Sequence, residues 1–452
     1  MNNAPPGPSA ATASRQELAP FEHLMLVDAR PGFPMCFFVE CVVAGPLAEI
    51  RFRQAVAEAA RRHRLLCSRV QVERGRPRWL PPDVSPAVIW HPQTGDPWEA
   101  IDIGRASGAR LVVIPVASDR HRVVMQVHHS ACDGIAACEY FGDIWAAYAG
   151  VAAKAFSAGR TAAGAAARAE SSVTVGPLME FARFRPTPLA RRMAAAPERD
   201  ALWRQPPYET LRFDAAFTDR LKTAAGRQGV SVNDALVAAV MRAAVAWNDA
   251  AGRKRSDVRV TMPVNLRAAG SREPARNAIG YAFLDRSLDG SGGFAPLAES
   301  INAATRWVLG TGAAASFLAA LAWLSRRPFL LKAVTRLPVC CATAVFSYVG
   351  DASRRMRTGA PKVAGHDAPG DLVIEQCLGV PPLRPRTRAA VGGTIYAGGL
   401  ALSCLCAAPD GRPGAATFLG LIRAELETFA AEPEDRRPKA GDGLATRKAA
   451  IL

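Results

Sequence analysis

Residues 122–148 constrain the fold of this chain more than any other segment, because the spacing of their apolar side chains changes abruptly. Residues 122–127 (RVVMQV) alternate in the way that predicts a β-strand. After a short interval, apolar side chains recur every three or four residues, which predicts a helix with one apolar face. A strand followed at once by a buried helix predicts an α/β fold. The apolar helix positions are Ile135, Cys138, Phe141, Trp145 and Tyr148.

Related patterns occur elsewhere along the chain and predict further strands and helices. Strands are predicted over residues 35–43, 109–115, 211–213, 258–263, 346–349 and 394–404, with an extended segment over 66–72. Helices are predicted over residues 49–63, 313–324 and 425–430. Another helix begins near Ser231, where the Ser-x-x-Asp pattern with Asp234 suits an N-terminal cap. The two halves carry loosely similar patterns, so we predict two α/β lobes.

The length of 452 residues suggests two or three domains, or one large bilobed unit. Regular patterns weaken after residue 150, where Ala, Arg, Gly and Ser predominate. The predicted divisions are a disordered tail over 1–18, an N-terminal lobe over 19–175, a connection over 176–207, a C-terminal lobe over 208–431 and a second disordered tail over 432–452.

The chain is strongly basic, with 56 Lys and Arg against 40 Asp and Glu and a formal net charge of +16. Such a surplus attracts polyanions, including phosphate-bearing cofactors, acidic carrier proteins, anionic lipids and nucleic acids. No basic helix or interleaved aromatic platform typical of nucleic-acid binding is evident in the sequence. We therefore expect no nucleic-acid partner.

Cysteine usage and apolar runs predict a cytoplasmic protein. The 10 cysteines include no Cys-x-x-Cys pair of the zinc-site kind, which favours reduced and mostly buried thiols. The N-terminal residues lack the features of a secretory signal, and the apolar runs over 313–325 and 338–350 are too short to span a bilayer. Residues 313–331 are predicted to form a core helix, with peripheral membrane contact as the alternative.

The heptapeptide at residues 128–134 (HHSACDG) is the strongest candidate for chemistry. It follows the predicted strand and precedes the predicted helix, so rigid elements on both sides can hold a histidine in a cleft. An imidazole near neutral pH can accept a proton from a hydroxyl or amine, and His129 is the candidate base. Asp133 is close enough to hold the loop, fix the imidazole tautomer or pair with an arginine. Gly134 is expected to supply a conformation or a close approach that a side chain would block.

Each of these residues also has a structural interpretation. Adjacent strand residues face opposite ways, so His128 is more simply a structural residue than a second catalytic one. Asp133 can cap the helix, and two histidines with an aspartate can also bind a metal ion. Ser130 and Cys132 lie in the turn without a recognisable nucleophile elbow, which favours direct transfer over a covalent intermediate. We predict no metal at this site.

At this motif the sequence resembles the chloramphenicol acetyltransferase-like superfamily of thioester-dependent acyltransferases, which includes peptide-synthetase condensation domains and bacterial wax ester synthase/diacylglycerol acyltransferases. The resemblance extends to further segments in the order that the superfamily has them. These are residues 43–64, 232–240 (VNDALVAAV), 262–267 (MPVNLR), 276–283 (RNAIGYAF) and 346–350 (FSYVG). The chain differs from its relatives over residues 281–283 (YAF), where a second asparagine or a Phe-Asn element is common, and at Tyr348, where an asparagine often follows the serine.

The resemblance implies two chloramphenicol acetyltransferase-like α/β lobes with a tunnel between them and the catalytic histidine in its middle. It implies that His129 is the general base and that Arg267 forms a structural ion pair with Asp133. Asn277, Gly280 and Ser347 would lie along the tunnel, where the serine could donate a hydrogen bond to the oxyanion.

The function implied is transfer of an acyl group from acyl-CoA or a phosphopantetheinyl carrier protein to a small alcohol or amine. The thioester would be a substrate, and no permanently bound cofactor is expected. Two alternatives remain open from the residues. One is a relative that binds a carrier protein or thioester without turning it over, and the other is a zinc-dependent hydrolase.

Overall fold

A computed structural model describes residues 15–431 apart from 93–95, 158–180, 182, 192–205, 254–255, 289–291 and 408–410. The predicted tail over 432–452, most of the tail over 1–18 and most of the connection over 176–207 therefore lie outside the described residues. Residues 15–18 do not continue that tail, because Gln16–Glu17 pair with Arg78 and Trp79 as the edge strand of a small sheet.

Among the described residues, the first lobe contains three helices, a small three-stranded sheet and a five-stranded sheet, one strand of which comes from the C-terminal half of the chain. Its elements are β1 (Gln16–Glu17), α1 (Pro20–Asp28), β2 (Cys36–Ala44), α2 (Glu49–Ala60), a 3₁₀ turn (Arg64–Cys67), β3 (Val70–Glu73), β4 (Arg76–Trp79), β5 (Ala87–Trp90), β6 (Ala109–Ala117), β7 (Arg120–His128) and α3 (Gly134–Tyr148). The central strands β2 and β7 are buried on both faces, because α2 and α3 cover one face and the second lobe covers the other. This explains why residues 36–43 are almost continuously apolar.

The second lobe contains a six-stranded sheet. Its elements are β8 (Glu209–Phe213), α4 (Ala215–Arg227), α5 (Val232–Asp249), β9 (Asp257–Asn265), β10 (Ile279–Ser287), α6 (Phe294–Thr311), α7 (Ala313–Ser325), α8 (Pro328–Arg336), β11 (Ala344–Asp351), α9 (Ala352–Met356), β12 (Lys362–Val363), β13 (His366–Asp367), β14 (Val373–Val380), β15 (Ala389–Tyr396), β16 (Gly399–Cys406) and α10 (Gly411–Ala431). The strand order is β10-β9-β11-β15-β16-β8, and a separate core packs α4, α5, α6 and α10 against it.

Strand β14 does not stay with the C-terminal lobe in which the predicted division at residue 208 placed it. It pairs with β2, so the first sheet has the order β14-β2-β7-β6-β5. Strand β14 also packs closely against β15 of the second sheet. A Cβ added at Gly392 of β15 would lie 2.3 Å from the carbonyl oxygen of Gly379 of β14. Sequence periodicity carries no information on which sheet a strand joins, which is why the division at 208 differs from the observed topology.

Most predicted elements are confirmed, with shifts at their ends. Ser231 caps α5 and forms a capping box with Asp234, as the sequence predicted. The single strand predicted over 394–404 is wrong, because a turn at Ala397 and Gly398 divides it into β15 and β16. Both turn residues have positive φ, which glycine adopts readily and alanine rarely. Helices α1, α4 and α6 and strands β10 and β14 were not predicted.

Within the described ranges, no single helix is long and apolar enough to cross a membrane. Two bent pairs, α4 with α5 and α6 with α7, reach that length and apolar composition only when the two helices are taken together.

Candidate active site

The end of β7 holds the two histidines in place through the backbone. His128 pairs with Cys36 across the sheet, and its N–H donates to the carbonyl of Gly108 at 3.0 Å. The N–H of His129 donates to the carbonyl of Met35 at 2.9 Å. The motif therefore leaves the sheet at a fixed point, and the side chain of His129 has a defined direction.

One hydrogen bond sets the tautomer of His129. Its Nδ1 lies 3.1 Å from the carbonyl oxygen of Cys132, and a carbonyl can only accept, so Nδ1 carries the hydrogen. The lone pair of the neutral ring is then on Nε2, which makes no hydrogen bond to the described residues. An imidazole held in this tautomer keeps the lone pair of its basic nitrogen unpaired.

Aromatic side chains surround this imidazole and control its charge. Phe37 packs against the ring of His129 with centroids 5.1 Å apart, and Phe21 packs against it at 5.6 Å. Burial lowers the pKa of His129, while the negative charge of Asp133 and the nearby amide of Asn277 act in the opposite direction. Since burial is the largest effect, the ring is neutral at pH 7, which is the form that accepts a proton.

Asp133 ties the motif to the second lobe. Its Oδ1 accepts from the N–H of Ala136 at 3.0 Å and so caps α3. Its Oδ2 accepts from Arg267 Nη1 and from the N–H of Ala278, both at 2.8 Å. Of the roles open to Asp133, the structure therefore contains the cap and the arginine pair, whereas the tautomer of His129 is fixed by a backbone carbonyl.

Arg267 is buried with Asp133, and their ion pair bridges the two lobes. Its Nη2 also donates to the carbonyl of Arg276 at 2.8 Å, so the same guanidinium fixes the loop over residues 266–278 between β9 and β10. The charge of Asp133 raises the pKa of Arg267 against the opposing effect of burial.

His128 points away from this arrangement and has a structural environment. It is buried, and its Nδ1 accepts from the N–H of Ser130 at 3.2 Å. Burial, reinforced by the neighbouring His129, lowers the pKa of His128 to about 4. It is neutral at pH 7 and supports the turn.

The expectation for Gly134 is wrong in this structure. Its φ is not positive, and a Cβ added there would meet no atom within 4 Å. Neither backbone conformation nor close packing requires a glycine at this position. The space above Gly134, next to the motif, is open.

Asn277 does not provide a donor to a substrate. Its side-chain N–H groups donate to the carbonyls of His129 at 2.9 Å and Ser130 at 3.1 Å, which uses both hydrogens. Its Oδ1 is buried without a hydrogen-bond partner. Asn277 thus holds the backbone of the motif against the second lobe.

Gly280 and Ser347 lie on strands of the second sheet. A Cβ at Gly280 would lie 2.1 Å from the carbonyl oxygen of Ala314, so this glycine allows α7 to pack against β10. Ser347 lies on β11 opposite Gly392 and is partly buried. Within the described part of the chain, no hydrogen bond joins Ser347 to His129.

Helix α1 is the part of the site that sequence reasoning missed. Phe21 contacts the His129 ring, and the carbonyl of Glu22 accepts from Ser130 Oγ at 3.0 Å. The Glu22 carboxylate accepts from the N–H of Ala19 at 2.8 Å and from Trp79 Nε1 at 2.9 Å. Pro20 at the first helical position and an acid two residues later are the sequence signal that could have identified this helix.

A second buried ionic cluster lies farther along α3. The carboxylate of Asp143 binds Arg272, Arg62 and His63, with 3.0 Å to Arg62 Nη1 and 3.0 Å to His63 Nε2. His63 Nδ1 accepts from the N–H of Ala275 at 2.9 Å. Both nitrogens of His63 are therefore occupied, and its ring has no lone pair to offer.

The described residues contain no group of three or more His, Cys, Asp or Glu side chains arranged to hold a metal ion. At the motif itself, Asp133 already accepts three hydrogen bonds and His128 Nδ1 accepts one.

Residues 204–345 match the family model described as the phthiocerol/phthiodiolone dimycocerosyl transferase C-terminus. A comparison of the sequence with curated proteins gave no match.

Solved structures with a similar fold cover almost the whole chain. The first condensation domain of the calcium-dependent antibiotic synthetase, in complex with substrate analogue 3a, is 19% identical with a TM-score of 0.65 and covers 93% of this chain and 98% of its own. Polyketide synthase associated protein 5 from Mycobacterium tuberculosis is 16% identical with a TM-score of 0.63 and covers 92% and 99%. TRI3 trichothecene 15-O-acetyltransferase from Fusarium sporotrichioides is 10% identical with a TM-score of 0.67 and covers 93% and 97%. The resemblance noted at the motif is confirmed at the level of fold.

Proposed function

We propose that this chain, which shares the two-lobed fold of condensation domains and chloramphenicol acetyltransferase-like acyltransferases, is itself an acyltransferase. It moves an acyl group from a phosphopantetheine thioester, either acyl-CoA or an acyl-carrier protein, to a hydroxyl or amine acceptor. The observation that carries the proposal is the buried imidazole of His129, whose Nδ1 is tied to the carbonyl of Cys132. That contact leaves Nε2 as the base.

The proposed reaction needs one proton acceptor and no covalent enzyme intermediate. Nε2 of His129 takes the proton from the acceptor hydroxyl or amine as its oxygen or nitrogen attacks the thioester carbonyl. The tetrahedral intermediate collapses, the C–S bond breaks and the imidazolium returns the proton to the leaving thiolate. The products are an ester or amide and a free thiol, and the ring is neutral again.

Two further features support this mechanism. Asp133, Arg267 and Asn277 hold the backbone around His129 without using Nε2, so the base is positioned but not blocked. Ser347 Oγ makes no hydrogen bond among the described residues and is the proposed donor to the developing oxyanion. The surplus of sixteen positive charges suits the phosphates of CoA and the surface of an acidic carrier protein alike.

The test is product formation from mixed substrates. The purified protein is incubated with a panel of acyl-CoA and carrier-bound thioesters and with mixed alcohols and amines, and products are identified by mass spectrometry while thiol release is followed. We expect ester or amide products whose formation depends on acceptor concentration. Thioester binding without thiol release would indicate a non-catalytic binding protein, and thiol release independent of acceptor would indicate a hydrolase. Either result would contradict the proposal.

A further inference from the structure

Among the described residues, the large exposed apolar side chains are most frequent on one segment. Phe329 of α8 is 88% exposed and Trp323 of α7 is 50% exposed. The other exposed apolar residues of the segment are Leu330, Val334, Leu337 and Val339. We call these six side chains the α7–α8 face. Single exposed apolar residues are common, but a contiguous group of this size in sequence marks an interaction surface.

Helix α8 has little to bury within the protein. Leu331 is its one buried residue, and it joins the apolar cluster that contains Phe21, Met25 and Tyr281. Arg30 donates to the carbonyl of Thr335 at 3.0 Å and so fixes the end of the helix. Helix α8 therefore contacts the rest of the protein mainly through Leu331 and the Thr335 carbonyl, and its remaining apolar side chains are exposed.

The charged side chains of this segment of the chain are all basic. Residues 300–350 contain no Asp or Glu, but they contain Arg306, Arg326, Arg327, Lys332 and Arg336. Among the described residues, neither Lys332 nor Arg336 has a carboxylate partner. Arg327 lies over the ring of Trp323, 4.2 Å from its centroid. Aromatic and aliphatic side chains flanked by cations are typical of a surface that inserts at a lipid headgroup layer.

We propose that the α7–α8 face docks on an anionic lipid bilayer. Phe329, Leu330 and Trp323 would enter the boundary between headgroups and acyl chains, while Lys332 and Arg336 would contact the lipid phosphates. A second copy of the chain fits less well, because a symmetric contact would place the basic side chains of this segment, which has no acidic residue, against their own copies.

The position of the face connects it to the candidate active site. Phe317 of α7 packs against Tyr281 with centroids 5.2 Å apart, and Tyr281 packs against Phe21 at 5.2 Å. Phe21 contacts the His129 ring. Helix α7 thus contributes both to the docking face and to the apolar cluster beside the imidazole, so docking would place that cluster near the bilayer.

Vesicle flotation tests the proposal without using enzyme activity. The full chain is mixed with vesicles of phosphatidylcholine alone, or with about 30% phosphatidylglycerol added to supply negative charge. We expect flotation with the anionic vesicles, weakening as salt rises, and little flotation with the neutral ones. The double variant Phe329→Glu/Leu330→Glu should bind anionic vesicles at least about ten-fold more weakly, since it removes apolar contact and adds repulsion.

Matched variants make the outcome specific. Ile50→Glu/Val363→Glu replaces two exposed apolar residues outside this face and should float like the wild type. Lys332→Glu/Arg336→Glu should lose binding to anionic vesicles while keeping the apolar residues. His129→Ala should float normally, which separates docking from the proposed chemistry.

Three results would overturn the proposal. They are failure of the wild type to float, equal flotation of the Phe329→Glu/Leu330→Glu variant, or equal binding to neutral and anionic vesicles. Light scattering in the absence of lipid tests the alternative that a second copy of the chain binds this face. A dimer that the Phe329→Glu/Leu330→Glu substitution dissociates, without vesicle binding, would identify the face as a contact between copies.

Discussion

Helix α3 carries two buried aspartates, Asp133 at its N-cap and Asp143 near its other end, and each binds an arginine of the loop over residues 266–278. Each also lies near a buried histidine. The two sites differ in what the imidazole has left to offer. Both nitrogens of His63 are occupied beside Asp143, whereas His129 beside Asp133 is held through Nδ1 alone. Buried His, Asp and Arg together therefore do not single out a candidate base, which also requires a nitrogen with a free lone pair.

The largest contrast is expected between the two histidines. His129→Ala should lower acyl transfer by about 10²- to 10⁴-fold, the usual effect of losing a general base, with little change in thermal stability. His63→Ala should destabilise the fold by about 2–4 kcal/mol, because it leaves the N–H of Ala275 unpaired in a cavity, and the remaining folded protein should keep its turnover. Kinetics and thermal unfolding of both variants measure this. Similar activity losses in the two variants would remove the distinction between the sites.

The two arginines provide the next contrast. Arg267→Met leaves Asp133 buried without a charged partner and should cost about 3–5 kcal/mol of unfolding free energy. Arg272→Met leaves Asp143 with Arg62 and His63 and should cost about 1–3 kcal/mol. Denaturant unfolding at pH 7 measures both. A larger loss for Arg272→Met would mean that the contact at Asp143, and not the one at Asp133, is the main connection between loop and helix.

Glu139 lies on α3 between the two aspartates, and its titration makes the stability of the fold depend on pH. Burial raises its pKa from 4.5 to about 7, against the opposing charges of Arg267, Arg272 and Arg357. The folded protein therefore binds a proton that the unfolded chain releases, so this contribution to stability falls as pH rises from about 4.5 to about 7 and is constant above.

Glu139→Gln should remove that fall, which is on the order of 3 kcal/mol over this interval. Unfolding free energies of the wild type and the variant between pH 5 and 8 provide the measurement. Substitution of the exposed Glu58 by Gln on α2 is the control and should leave the pH dependence as it is. Parallel curves for the wild type and Glu139→Gln would show that Glu139 does not bind this proton.

Two glycines of α3 give the smallest expected changes in stability, and the two changes have opposite signs. A Cβ at Gly142 would lie 1.9 Å from the carbonyl oxygen of Met356, so Gly142→Ala should destabilise the fold by about 1–3 kcal/mol. Gly134→Ala meets open space and should change stability by less than about 1 kcal/mol, in the stabilising direction. Thermal unfolding compares them. If Gly134→Ala keeps its stability but loses turnover, the open space above this residue is used by substrate.

Local features of the site followed from the sequence because neighbouring residues determine them. The strand that ends at His128, the cap that Asp133 forms on α3 and the capping box of Ser231 depend on residues within four positions of each other. The pairing of Asp133 with Arg267 came from resemblance to a family. Nothing in the spacing of those two residues encodes it.

The tertiary structure alone decided how these parts meet. It used both Asn277 hydrogens on the motif backbone, brought α1 over the imidazole and placed β14 in the first sheet. It also left space above Gly134, where the sequence had suggested a close approach. Periodicity reports which side of an element is buried, but the partner that buries it is chosen by contacts between residues distant in the chain. The sequence therefore determined that a histidine stands at a strand end, and the packing of distant segments determined which side chains surround its ring and which loop holds the motif.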